Sequence, residues 1–219
     1  MSDKQVFLAA VRAALAASSN APTDTVVRTY RCEGEEAPGS AQVVAEFIGA
    51  LEDYGVEVKE VPSEGVADAV ADFLSAGGVT SVVIPAGLDE AWAEAAGRSP
   101  RVLHVDSVDS PCDKALLADV DAVVTASRVA VSLSGAIALD GQSDQGRRVI
   151  TLLPDLHICV VNSSAVYPTM PQAVAVLAQH PERPTTWIAG GSATSDIELV
   201  RVNGVHGPRT LRVVLVSDR

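Results

Sequence analysis

The segment Gly190-Gly191-Ser192-Ala193-Thr194-Ser195-Asp196 follows directly on the apolar Trp187-Ile188-Ala189. Glycines after a buried strand let backbone N–H groups face a ligand. Ser192, Thr194 and Ser195 add hydroxyl donors, so such a loop can cradle a carboxylate or phosphate. The same residues also suit a tight turn in which the hydroxyls and Asp196 cap local N–H groups. A second cluster runs Ser132-Leu133-Ser134-Gly135, then Arg147-Arg148, then His157. One of the two arginines can neutralise a ligand carboxylate, and a histidine at the start of a strand can give or take a proton. In the plainer reading both arginines face solvent and a backbone carbonyl satisfies the histidine. The third cluster is Gly204-Val205-His206-Gly207-Pro208, in which two glycines either expose the His206 ring or simply make a turn.

Other chemistries lack their residues. There is no Gly-x-Gly-x-x-Gly for a dinucleotide, no Gly-x-Ser-x-Gly elbow and no His-Glu-x-x-His. Gly141 to Arg147 has Walker-like glycine spacing without the Lys-Ser/Thr pair. His104, His157, His180 and His206 show no metal-ligand spacing, and Cys32, Cys112 and Cys159 never form Cys-x-x-Cys. This argues against a disulfide framework, a zinc site and a self-contained iron–sulfur cluster, and for a reducing compartment. The expectation is a chain that carries no metal, flavin or nicotinamide of its own.

Charge narrows the ligand. The 219 residues carry a net charge of −12, the wrong sign for nucleic acid or an acidic membrane surface, and only 4% aromatic residues for base stacking. Residues 1–110 hold 7 basic and 18 acidic side chains, whereas residues 111–219 hold 9 and 10, and eight of those nine are Arg. Arginine grips carboxylate or phosphate bidentately, so a small anionic ligand is expected in the second half. At the N-terminus, Lys4 followed by Val6 to Ala17 loosely resembles a secretory signal, but Arg12 interrupts it and an amphipathic helix fits better. No stretch reaches the ~18 apolar residues of a membrane span, so a cytoplasmic protein without membrane insertion is expected.

These clusters need a frame, and the hydrophobic pattern supplies one. After a helix over 4–17, residues 18–39 contain Pro22, Gly34, Pro38 and Gly39 with no period and read as an irregular connection. From Ser40, Val43, Val44, Phe47, Ile48 and Leu51 recur at helical steps and Gly55 stops the helix; Val56 to Lys59 alternates as a strand. Ser63 and Glu64 open a third helix through Val66, Val70 and Leu74, ending at Gly77-Gly78. Strands are expected at 82–84, 101–105, 122–125, 129–139, 158–161, 186–189 and 211–216, with helices at 89–96, 113–117 and 170–179. Alternating helix and strand imply one α/β domain with a largely parallel sheet, helices on both faces. The ligand crevice is expected beyond the carboxyl ends of the strands, where Gly190–Asp196, His206 and one of Arg147 or Arg148 converge.

Taken in order, the three clusters resemble the LUD-domain family. Its pattern has an Ala-Glu-Thr-Gly-Thr strand, an Arg with a downstream Leu-Pro-x-x-His, then Gly-Pro-Ser-Arg-Thr-Ala-Asp-Ile-Glu and Gly-Val-His-Gly-Pro. The corresponding residues here are Ser132 to Ala136, Arg147 or Arg148 with Leu153-Pro154-Asp155-Leu156-His157, Gly190 to Glu198, and Gly204 to Pro208. Leu133 stands where the family has Glu, and Ala193 where it has Arg. The resemblance covers residues 120–216 in detail and implies a NagB/RpiA/CoA-transferase-like α/β fold. It implies an accessory component of an L-lactate utilisation system, oxidising lactate to pyruvate beside iron–sulfur and oxidoreductase subunits. The ligand-binding set it points to is Ser134, Gly135, Arg147, Arg148, His157, Gly190, Gly191, Ser192, Thr194, Asp196, Glu198 and His206. The alternative is a stand-alone transferase or isomerase acting on a sugar phosphate or acyl-CoA, which the missing Glu at position 133 deprives of an obvious nucleophile.

Overall fold

A computed structural model describes residues 3–17, 31–194, 202–203 and 207–219. The chain divides into two compact units, residues 1–31 and 32–219. The first holds helix α1 (Asp3–Ala17). Most of the expected connection, with Asp196, Glu198 and His206, lies outside the described residues.

In the second unit six strands form a fully parallel sheet: β1 (Glu57–Val61), β2 (Ser81–Pro85), β3 (Val102–Asp106), β4 (Ala122–Ala126), β7 (Leu156–Asn162) and β12 (Thr210–Val216). Their order is β1-β12-β7-β4-β2-β3. Helices α3 (Val66–Ala76) and α4 (Glu90–Ala96) cover one face. There Val66, Val70, Phe73, Leu74 and Ala96 pack on Val82, Ile84, Val124, Ile158 and Val214. Alternate residues of the same strands point the other way, because successive strand side chains take opposite faces. Val213, Leu215, Cys159 and Val161 meet Val43, Phe47 and Leu51 of α2 (Ala41–Asp53), while Val83 and Val123 meet Leu117 of α5 (Lys114–Asp119). The two short helices begin at N-caps, with Asp89 accepting from Ala91 and Trp92 N–H and Asp113 from Leu116 N–H.

The expected single strand over 129–139 is instead a hairpin, β5 (Val129–Val131) and β6 (Ala136–Leu139). It turns through a short 3-10 helix and Gly135 at φ 63°. With β8 (Val166–Tyr167) and β9 (Thr186–Ile188) it makes a second sheet, ordered β8-β5-β6-β9. Ala130, Ile137 and Leu139 join the α2 core, and the outer face packs on Ala173 of α6 (Met170–Leu177). A small antiparallel pair, β10 (Ala193–Thr194) with β11 (Val202–Asn203), follows. The second sheet changes the fate of the glycine loop, because β9 is no strand of the parallel sheet and delivers Gly190 elsewhere than to its carboxyl edge.

Candidate ligand-binding site

The loop over 140–146 carries the arginine pair into place. Gly141 and Gly146 adopt φ of 73° and 71°, open to glycine without strain. Backbone bonds stitch the loop to the carboxyl edge of the parallel sheet: Ala126 N–H donates to the Asp144 carbonyl and Gly87 N–H to that of Ser143, both at 3.0 Å. The buried Gln145 side-chain oxygen accepts from Asp140 N–H at 2.6 Å, and Asp140 is held by Arg183 at 3.1 Å and Arg128 at 3.8 Å.

The chain leaves this loop extended at Arg147 and turns at once into the 3-10 helix Arg148–Thr151. Arg147 Nε donates to Asp106 Oδ2 at 2.9 Å, and its Nη2 donates to Oδ1 and, at 3.0 Å, to the Cys112 carbonyl. The bond to Asp106 raises the Arg147 pKa above its ordinary value. Asp106 is 1% exposed and also accepts from Cys112 N–H, so Arg147 is spent on the fold. Arg148 is exposed, and its guanidinium makes no hydrogen bond or ion pair among the described residues. It lines a cavity of about 340 Å³ together with His157, Trp187 and Gly190-Gly191-Ser192.

His157 is the second residue of β7, opposite Val123 and Leu211 in the neighbouring strands. It is fully buried, with Nε2 2.8 Å from Thr125 Oγ1, while Nδ1 has no partner among the described residues. Burial lowers its pKa to about 4, so the ring is neutral at pH 7. Among the described residues the cavity thus brings an arginine without a charge partner together with an uncharged imidazole whose second nitrogen makes no hydrogen bond. In the glycine loop, Gly190 has φ 78°, and a Cβ there would stand 2.9 Å from Tyr54 Cβ. A Cβ on Gly191 would run into the Arg209 carbonyl oxygen. Ser192 N–H donates to the Pro208 carbonyl at 2.7 Å, so that amide serves the turn rather than a ligand.

Of the residues singled out in the sequence, Arg148, His157, Gly190, Gly191 and Ser192 come together here. Arg147 faces Asp106 instead. Ser134 and Gly135 line neither this cavity nor the neighbouring one. They close the β5–β6 hairpin against α2, where a Cβ on Gly135 would lie 3.3 Å from Ala50 backbone. Thr194 lies in β10, and Asp196, Glu198 and His206 are outside the described residues. The loop reaches the cavity near the amino ends of β7 and β12, marked by His157 and Leu211, not beyond their carboxyl ends. The carboxyl ends of β2 and β3 do open onto a second cavity, of about 350 Å³. Sequence reasoning missed Thr125, Thr151 and Thr186. Thr125 carried a signal, being the one polar residue in the otherwise apolar Ala122–Ala126.

Among the described residues no three His, Cys, Asp or Glu side chains gather as a metal set, and no helix is long and apolar enough to cross a membrane. Cys159 is buried, with its pKa pushed up to about 12, which removes it as a thiolate nucleophile.

Comparison with known proteins agrees with this architecture. The LUD domain family matches residues 44–216. The chain is 42% identical over 179 residues to lactate utilization protein C of Deinococcus radiodurans, covering 81% of each. It is 37% identical over 102 residues to lactate utilization protein C of Bacillus subtilis, a match spanning 44% of this chain and 42% of that one. The crystal structure of a DUF162 family protein from Deinococcus radiodurans superposes with a TM-score of 0.67 at 35% identity, covering 80% of this chain and 97% of that chain.

Proposed function

Starting from the fact that this chain belongs to the LUD-domain family, we propose that it is an accessory component of a lactate-utilisation system. In this reading it holds the carboxylate of a small molecule in the Arg148 cavity and works beside iron–sulfur and oxidoreductase subunits. The names of the relatives support the system. The observation that carries the site is that Arg148 lines one cavity with the buried His157, and that neither its guanidinium nor His157 Nδ1 has a partner among the described residues. A charge-assisted bond from arginine supplies the attraction, and the buried imidazole offers a second, uncharged contact. Oxidation of lactate needs an electron acceptor, and Cys32, Cys112 and Cys159 have no Cys-x-x-Cys spacing, so in this reading the redox centre belongs to partner subunits.

The stand-alone transferase or isomerase reading finds less support. Leu133, where the family pattern has Glu, is 70% exposed at the hairpin tip, and the hairpin residues beside it line neither cavity. The test is titration calorimetry with lactate, pyruvate and phosphate on the wild type and Arg148→Ala. The expected result is binding of a carboxylate that the variant weakens by about 1.5–3 kcal/mol. Equal binding by both proteins would remove Arg148 from the site.

A further inference from the structure

The Arg148 cavity is one half of a longer cleft. Its neighbour at the carboxyl ends of β2 and β3, about 350 Å³, shares Arg148, Thr151 and Thr186 with it, so the guanidinium stands at the junction of two compartments of similar size. Each alone falls near the lower end of the ~300–1,000 Å³ typical of pockets that bury a drug-sized ligand. A three-carbon acid bound at Arg148 leaves the second compartment empty.

The two compartments differ in charge. In the second, the ionised groups besides Arg148 are Asp106 and Arg147, which neutralise one another through two hydrogen bonds. What remains is the apolar surface of Ala86, Val108, Leu139 and Pro184 with uncharged Ser, Gln and Thr groups. An anionic end placed there would meet a guanidinium already committed, while an uncharged body would lose nothing. Arg148 at the junction, its charge without a partner among the described residues, and the buried imidazole beyond it mark where the head of a ligand goes.

We infer that the cleft takes a carboxylate-headed ligand with an extended, uncharged and largely apolar body, its head at Arg148 and His157 and its body in the compartment bounded by Val108, Leu139 and Pro184. The inference rests on the anion-binding reading of Arg148 and adds the class of molecule that carries the anion.

The straight-chain carboxylates from acetate to octanoate test it, with 1-octanol as a headless control, followed by ligand-observed NMR on the full chain. Burial of each added methylene in the second compartment raises affinity about fourfold. Octanoate then binds far more tightly than acetate, and 1-octanol binds poorly. Val108 is 89% exposed, so Val108→Trp narrows the compartment at little cost to the fold. It is expected to lower octanoate affinity at least tenfold more than acetate affinity, with the melting temperature reported alongside. If affinity is flat along the series while Arg148→Ala still weakens every member, the second compartment is refuted and the anion reading stands. If Arg148→Ala changes nothing, both fall. If 1-octanol binds as well as octanoate, or the Trp variant keeps the full chain-length dependence, the proposed placement of head and body is wrong.

Discussion

Lowering the pH should destabilise this protein through His157. The ring is fully buried, with a folded-state pKa of about 4 against an ordinary 6.5. The folded protein thus refuses a proton that the unfolded chain accepts from pH 6.5 downward. Stability contributed by the neutral ring is complete above pH 6.5 and is lost as the pH falls towards 4. The loss from this residue is about 2 kcal/mol at pH 5 and about 3 kcal/mol at pH 4, a large part of the ~5–15 kcal/mol that holds a typical domain together. Urea unfolding of the wild type and His157→Gln at several pH values between 7 and 4.5 separates this contribution from those of the carboxylates, which both proteins share. The variant is expected to be less stable at pH 7, having lost a fitted ring, and to show a shallower decline below pH 6.5. Parallel declines, or an NMR titration of the His157 ring near 6.5, would refute the reasoning.

Arg147→Ala leaves the 1%-exposed Asp106 carboxylate without its main partner. It should cost about 2–3 kcal/mol in urea unfolding, below the ~3–5 of a fully buried pair because Arg147 is itself 40% exposed. Arg148→Ala should leave the unfolding midpoint within about 0.5 kcal/mol of the wild type, since its guanidinium has no partner among the described residues to lose. Gly191→Ala drives a methyl into the Arg209 carbonyl and is expected to lower the melting temperature and abolish carboxylate binding together. Asp121 Oδ2 accepts from the N–H and hydroxyl of both Thr80 and Ser81; burial pushes its pKa up, these bonds outweigh it, and the net shift is downward. Asp121→Ala should therefore destabilise by roughly 1.5–3 kcal/mol, the worth of hydrogen bonds to a charged group, as read by chemical denaturation.

The parallel sheet was legible because its strands are short apolar runs between helices whose spacing and caps are local features. Val82-Val83-Ile84 and the Asp89 cap are examples. The second sheet was not legible, because the apolar runs Val129–Val131 and Ala136–Leu139 read as one strand although Ser132-Leu133-Ser134-Gly135 interrupts them. The turn sits at Gly135, whose positive φ is fixed by its fit against Ala50, a contact distant in sequence. The same limit governed the site. That Arg, His and glycines belong together could be read from residue type. Which arginine is left for the proposed ligand depends on Asp106, some forty residues upstream and brought to Arg147 only by the sheet edge.

This division between two adjacent arginines sets the charge of the proposed site. In a chain of net charge −12, Arg148 has no ion-pair partner among the described residues while Arg147 is tied to a carboxylate. Were His157 protonated, the cavity would present two positive charges and favour a dianion such as phosphate. Burial keeps the ring neutral at pH 7, so among the described residues that line the cavity the charge is that of Arg148. A carboxylate matches it, whereas a phosphate dianion would carry one surplus charge into a partly desolvated cleft, where unpaired charge is costly. Nδ1 of the neutral ring is buried and has no hydrogen-bond partner among the described residues. In the proposed site the buried histidine, unsuited to act as a cation at neutral pH, would thereby favour a singly charged ligand at Arg148.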